Sequence, residues 1–203
     1  MTDIRRIQDA EVAGKRVLVR VDFNVPMKDG AVTDDTRLKA ALPTIEHLKQ
    51  AGARTVLLAH FGRPKGQRVA EMSLEPVAQP LADLLGDPVD FVDDVTGADA
   101  LEAVADMSDG DVLLVQNTRY EPGEEKNDPA FAEALAKLGD LYVNDAFSAA
   151  HRAHGSTQGV AQHLPAYAGL AMQREIDHLV KALEAPERPV VALVGGAKVS
   201  TKI

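Results

Sequence analysis

The sequence predicts an α/β protein: an open, mainly parallel sheet with helices on both faces. Three observations predict it. Short apolar runs recur along the chain, segments with apolar residues at helical spacing separate them, and glycine or proline marks the joins.

The runs Val17–Val21, Thr55–Ala59, Asp111–Val115, Leu141–Val143 and Val190–Val194 are dominated by Val and Leu. Without in/out alternation, such runs suit parallel strands covered on both faces. Pro88–Val92 is a weaker candidate. Between them, Thr36–Ala51 carries Leu38, Leu42, Ile45 and Leu48 at helical spacing and meets Gly52, a helix-ending residue. Leu74–Leu85 stops at Gly86. Asp128 and Pro129 supply an N-cap and a first-turn residue for Pro129–Leu138, which stops at Gly139. Strand alternating with helix through right-handed crossovers is a Rossmann-like arrangement. Met172, Ile176, Leu179, Val180 and Leu183 mark the apolar stripe of one more helix, which runs into the proline-bearing stretch EAPERP. The expected division is a domain over 1–170, a connecting helix and linker over 171–188, and the first strand and loop of a second domain over 189–203.

Composition narrows the classes. At 203 residues and 45% hydrophobic, the chain can bury a substantial core. No apolar stretch reaches the roughly 20 residues that span a bilayer. The N-terminal stretch MTDIRRIQDAEVAGK lacks an apolar core, which predicts no secretory signal. With no cysteine there is no disulfide, thiol nucleophile or thiolate metal site, and a cytoplasmic location is expected. A net charge of −9 disfavours nonspecific binding to nucleic acid or anionic membrane. The absence of Trp, with three Tyr and five Phe, leaves little for stacking on single strands.

Ligands of open α/β sheets collect at the carboxyl ends of the strands. The first strand exits through RVDFNVP, with Arg20, Asp22 and Asn24, and Arg37 follows. The next exits through AHFGRPKG, with His60 and Arg63; a later one exits at Asn117 and Arg119. The run Leu141–Val143 leads to Asn144, Asp145, His151, Arg152 and His154. An acidic protein thus places arginine after each of these strands. Arginine stays charged and offers a planar fork that matches carboxylate and phosphate. The pattern points to a site for a small phosphorylated carboxylic acid, although any single arginine in a surface loop is usually just solvated. His60 reads either as a site member or as a satisfied loop histidine. The HRAH stretch spaces His151 and His154 as a helical metal pair, but no carboxylate-rich set completes it, so no metal site is expected. No G-x-S-x-G elbow supports a hydrolase.

The tail VVALVGGAKVSTKI lacks a Walker A loop. It does join an apolar strand to a glycine pair, Gly195 and Gly196, and then to Lys198 and Lys202, which share one face if helical. A turn followed by a solvated lysine pair fits the same residues.

Taken in order, RVDFNVP, HFGRP, NTRYEPGEEKND, NDAFSAAHRAH and GGAKVSTKI resemble the phosphoglycerate kinase family, from about residue 16 to the end. Departures are small: Ala59 and Phe61 stand where the family commonly has Ser and Leu, Ser148 and Ala149 where it has Gly and Thr, and Gln116 and Tyr120 where it has Glu and Phe. The resemblance implies a two-domain, monomeric glycolytic enzyme that moves a phosphoryl group reversibly between 1,3-bisphosphoglycerate and ADP, giving 3-phosphoglycerate and ATP. It implies a glycerate site at Asp22, Asn24, Arg37, His60, Arg63, Arg119 and Arg152, with Phe23, Phe61 and Gly62 in the same motifs. Arg37 would also reach the transferring phosphoryl group. Gly195, Gly196, Lys198 and Lys202 would face the nucleotide phosphates of Mg-ATP or Mg-ADP, Lys198 with a catalytic role, and the metal ligands would lie outside this chain. The family is about twice as long, so a fragment that binds 3-phosphoglycerate without catalysing alone is expected. A freestanding anion-binding α/β module is the alternative; a scaffold is disfavoured because it would not require these arginines.

Overall fold

A strand covered on both sides must be apolar at odd and even positions alike, and the central strands show why. In β1 (Arg16–Arg20), Val17 and Val19 face one core layer and Leu18 faces the other. The computed structural model describes residues 4–184 together with 186, 188, 189 and 191. After β1 comes a small antiparallel hairpin, β2 (Met27–Lys28) and β3 (Ala31–Val32), then α1 (Thr36–Gln50) and β4 (Arg54–Leu58). Next are α2 (Glu75–Leu85), β5 (Asp90–Val92), α3 (Ala98–Asp106), β6 (Val112–Val115) and α4 (Pro129–Ala136). β7 (Leu141–Asn144), β8 (Ala166–Ala168) and α5 (Leu170–Glu184) complete the described elements.

Six of these strands form one parallel sheet in the order β5-β6-β4-β1-β7-β8. The predicted open α/β sheet with helices on both faces is therefore the observed fold. On one face, Leu38, Ile45 and Leu48 of α1 and Val77 and Leu81 of α2 pack on Val17, Val19 and Leu57. On the other, Val104 of α3 and Phe131 and Leu135 of α4 pack on Leu18, Val56, Leu58 and Leu113. Helix ends follow local chemistry. Asp128 accepts hydrogen bonds from the Ala130 and Phe131 amides at 2.9 and 3.0 Å, and Gly86 ends α2 at φ 73°.

Besides the short β2–β3 hairpin, β8 and α3 have no counterpart in the sequence expectation. β8 is three residues of Ala and Tyr, too short and small to form an apolar run. α3 is rich in Ala, Asp and Glu and buries Ala100 and Val104. The proposed strand Val190–Val194 lies outside the described residues except for Val191.

Connections leave β1 toward β4 and leave β7 toward β8, so the strand order reverses between β1 and β7. That switch point opens a crevice at the carboxyl edge. Asp145, just after β7, spans it to α5: its Oδ1 accepts from the Ala171 and Met172 amides at 2.9 and 3.1 Å. A Cβ on Gly169 would stand 2.3 Å from that oxygen, so this close approach needs glycine. Asp145 Oδ2 is buried without a hydrogen-bond partner. Burial raises the carboxyl to about 6 despite the bonds from Thr44 and the helix amides.

A carboxyl raised on folding binds more protons in the folded state, so its contribution to stability is full below pH 4 and is lost as pH rises through 6. Asp145→Asn should therefore lose ground to the parent as pH falls from 7 to 4, by up to about 3 kcal/mol at 1.36 kcal/mol per pKa unit. Denaturant titrations at several pH values check this; a difference constant with pH contradicts it.

Candidate functional site at the carboxyl edge

Three separate loops meet at the end of β1 because one side chain needs all of them. Arg20 is 1% exposed. Its Nε donates to Ser156 Oγ at 2.9 Å, its NH1 to the Val21 carbonyl and its NH2 to His60 Nδ1 at 2.8 Å. Ser156 in turn donates to Glu124, through its amide at 2.7 Å and its hydroxyl at 2.5 Å. Glu124 is fully buried and also accepts from Thr118. A buried carboxylate thus reaches the buried guanidinium through one serine. Desolvation lowers the Arg20 pKa, and Glu124 opposes that effect.

The arginines come together as cations. Arg119 is 3% exposed and donates to the Gly62 carbonyl at 2.8 Å. Its Nε lies 3.3 Å from Glu125 Oε1 without forming a hydrogen bond, and so is an orphaned buried donor. Burial lowers its pKa, and the charges of Arg152 and Arg20 lower it further. Arg152 likewise acts on Arg20, on His60 and on His154. His60 is held down to about 3 by burial first and then by Arg20 and Arg119, so its ring is neutral at neutral pH.

On the switch-point side, Arg37 pairs with Asp22 Oδ2, which also accepts from Ser148 Oγ at 2.6 Å. Burial pushes the Asp22 carboxyl up, but Ser148 and Arg37 outweigh it and keep the group ionised. Asp22, Arg37, Asp145, Ser148 and Arg174 line a cavity of about 150 Å³ there. The loop after β4 is tied on by neutral groups. Asn24 Oδ1 accepts from the Gly62 amide at 3.0 Å, and Asn117, fully buried, bonds both the amide and carbonyl of Phe61. Gly62 sits at φ 61°, where a Cβ would also meet Met72 Sδ at 2.8 Å.

Of the expected residues, Asp22, Asn24, Arg37, His60, Gly62, Arg119 and Arg152 thus lie on one carboxyl edge. Arg63 follows Gly62 in the same loop but is exposed and makes no ion pair among the described residues. Phe23 requires correction as a contact side chain: it is fully buried in the core layer with Val21 and Val25, and Phe61 packs partly against that layer. His151 and His154 do not share a helical face, because residues 151–154 form a turn and extended chain. Gly195, Gly196, Lys198 and Lys202 lie outside the described residues. Sequence reasoning missed Glu124, Ser156 and Thr118: Ser156 meets Arg20 across 136 residues, and Glu124 and Thr118 join through it.

Fold and edge together define a class: a doubly wound α/β domain that gathers cations and neutral donors at its switch point. A family profile described as phosphoglycerate kinase matches residues 7–203. A phosphoglycerate kinase of Maricaulis maris is 75% identical over 203 residues, which is all of this chain and 50% of the relative. One from Methylorubrum populi is 61% identical over 204 residues, 51% of its length. The solved phosphoglycerate kinase of Coxiella burnetii superposes with a TM-score of 0.88 at 40% identity, covering 98% of this chain and 50% of that one. That of Pyrococcus horikoshii gives 0.87 at 36% identity, covering 97% and 50%. The chain belongs to the phosphoglycerate kinase family, and it spans about half the length of the relatives it matches.

Neighbouring glutamates offer a test of the buried network. Glu124→Ala strands Ser156 and leaves Arg20 without its counter-charge, which should cost about 3–5 kcal/mol in denaturant unfolding. Glu125→Ala removes a half-exposed partner and should cost under about 1 kcal/mol. Equal effects would contradict the assignment of Glu124.

Proposed function

We propose that this chain supplies the acid-substrate side of reversible phosphoryl transfer between 1,3-bisphosphoglycerate and ADP. Residues 1–170 would be the 3-phosphoglycerate domain, 171–188 the connecting helix and linker, and 189–203 the start of the nucleotide domain. The observation that carries the reading is the gathering of Arg20, Arg119 and Arg152 at one edge, where burial and then the charges of Arg152 and Arg20 lower the Arg119 pKa. Membership in the family supports it. Cations that repel one another across a shared edge bind an anion more strongly than separated ones, since the ligand removes the repulsion.

Arg119 and Arg152 would hold the acid on one side, and Arg37 on the other, steered by Asp22. Arg37 would also meet the migrating phosphoryl group from the switch-point side. Asn24 and Asn117 set the Gly62 loop without adding charge. Phosphoryl transfer asks little covalent chemistry of the protein; it needs positioning, and cations around spreading negative charge.

Mg-ATP or Mg-ADP would serve as the second substrate. By family resemblance the nucleotide side of the reaction is assigned in part to Lys198 and Lys202, which lie outside the described residues. Domain closure would bring the two sides together and exclude water as a competing acceptor. Because the chain spans half of its relatives, turnover by these 203 residues alone should be negligible. No helix among the described residues is long and apolar enough to cross a membrane; a cytoplasmic monomer acting on small molecules fits the reading.

Binding should appear as thermal protection. At 100 times Kd, 3-phosphoglycerate should stabilise the chain by about 2.7 kcal/mol. Arg37→Ala and Arg152→Ala should each weaken binding on the order of tenfold or more, the value of one charge-assisted hydrogen bond. Equal protection of all three proteins would remove the site assignment.

A further inference from the structure

His60 carries two ring nitrogens, and the residue behind it settles which one holds the proton. Arg20 NH2 lies 2.8 Å from His60 Nδ1. A guanidinium has five N–H donors, no acceptor, and stays protonated in proteins. Nδ1 must therefore accept, and it carries no hydrogen. Rotation of Arg20 away from this contact is opposed from two other directions. Its Nε is fixed on Ser156 Oγ and its NH1 on the Val21 carbonyl. Ser156 is itself held twice by Glu124, a fully buried carboxylate.

With Nδ1 committed, a neutral ring keeps its single proton on Nε2. That atom makes no hydrogen bond among the described residues and is not one of the buried orphans, so it is left accessible to a ligand, on a ring that feels the charges of Arg119 and Arg152. An imidazolium would set N–H against N–H at the Arg20 contact, which excludes the charged form by geometry alone.

We propose that Arg20 is a positioning residue that locks His60 in the Nε2–H tautomer, so that His60 meets the bound acid as an uncharged hydrogen-bond donor. Its partner must be an acceptor oxygen of a carboxylate, phosphate or hydroxyl. A ligand presenting N–H there would leave two donors facing each other, and buried unpaired donors are rejected strongly. The guanidiniums supply attraction for any small anion; His60 supplies direction without more charge. The identity of the oxygen rests on the substrate reading above, whereas the tautomer does not.

Nitrogen-15 NMR of histidine-labelled, unliganded chain at neutral pH tests the lock without any variant. His60 should show an unprotonated Nδ1 and a protonated Nε2; a proton on Nδ1, or rapid exchange between tautomers, overturns the proposal. Arg20→Met, folded, should release the ring into a mixture, and retention of the fixed tautomer would place the lock elsewhere. For the donor role, His60→Gln puts an amide N–H near the position of Nε2, while His60→Asn reaches only that of Nδ1. His60→Gln should keep most of the affinity for 3-phosphoglycerate, and His60→Asn should lose on the order of tenfold. Equal losses overturn the donor role. Failure of the parent chain to bind 3-phosphoglycerate, with the tautomer as described, would instead sink the substrate reading and with it the donor role, leaving the lock itself standing.

Discussion

A guanidinium buried at the end of the central strand β1 imposes the constraint on which the carboxyl edge depends. Arg20 has no carboxylate within ion-pair distance among the described residues, and an uncompensated charge in that position would cost several kcal/mol. Compensation arrives from parts of the chain that are otherwise unrelated. Glu124 comes from the segment before α4, Ser156 from the turn after β7, and His60 from the loop after β4. Satisfying Arg20 therefore fixes three loops relative to one strand, and the side chains those loops carry inherit that fixed geometry.

The parallel sheet supplies the rest of the arrangement. Every strand of such a sheet ends on the same edge, so residues placed after strands far apart in sequence become neighbours. Arg37, Arg119 and Arg152 arrive from three different strand exits. The reversal of order between β1 and β7 opens a crevice between Asp22 and Asp145, with the Ser148 hydroxyl donating to Asp22. Two carboxyls flank this crevice with opposite electrostatic fates. Asp22, with Arg37 and Ser148 beside it, is held ionised; Asp145, with one oxygen unpartnered, is raised. The first orients a cation at the site, and the second ties the sheet to α5.

Much of this was legible in the sequence. Strands such as Val17–Val21 were readable because burial on both faces leaves unbroken apolar runs, and Gly86 and Asp128 mark helix ends through local backbone chemistry. β8 and α3 were not, since β8 is only three residues long and α3 buries only the small Ala100 and Val104. At the site, the arginines announced themselves by recurring after strands. Glu124 and Ser156 did not: nothing about an acidic loop residue or a serine foretells that 32 residues apart they will meet beneath an arginine. Phe23 illustrates the opposite error, because it sits inside a site motif while its side chain serves the core.

The central proposal is that these cations form one site for an acid carrying both a carboxylate and a phosphate. A crystal structure of the chain with 3-phosphoglycerate tests it most directly. Ligand oxygens should lie about 2.7–2.9 Å from the guanidiniums of Arg37, Arg119 and Arg152, with one oxygen on His60 Nε2. A fully occupied ligand bound elsewhere, or one touching only a single arginine, would contradict it.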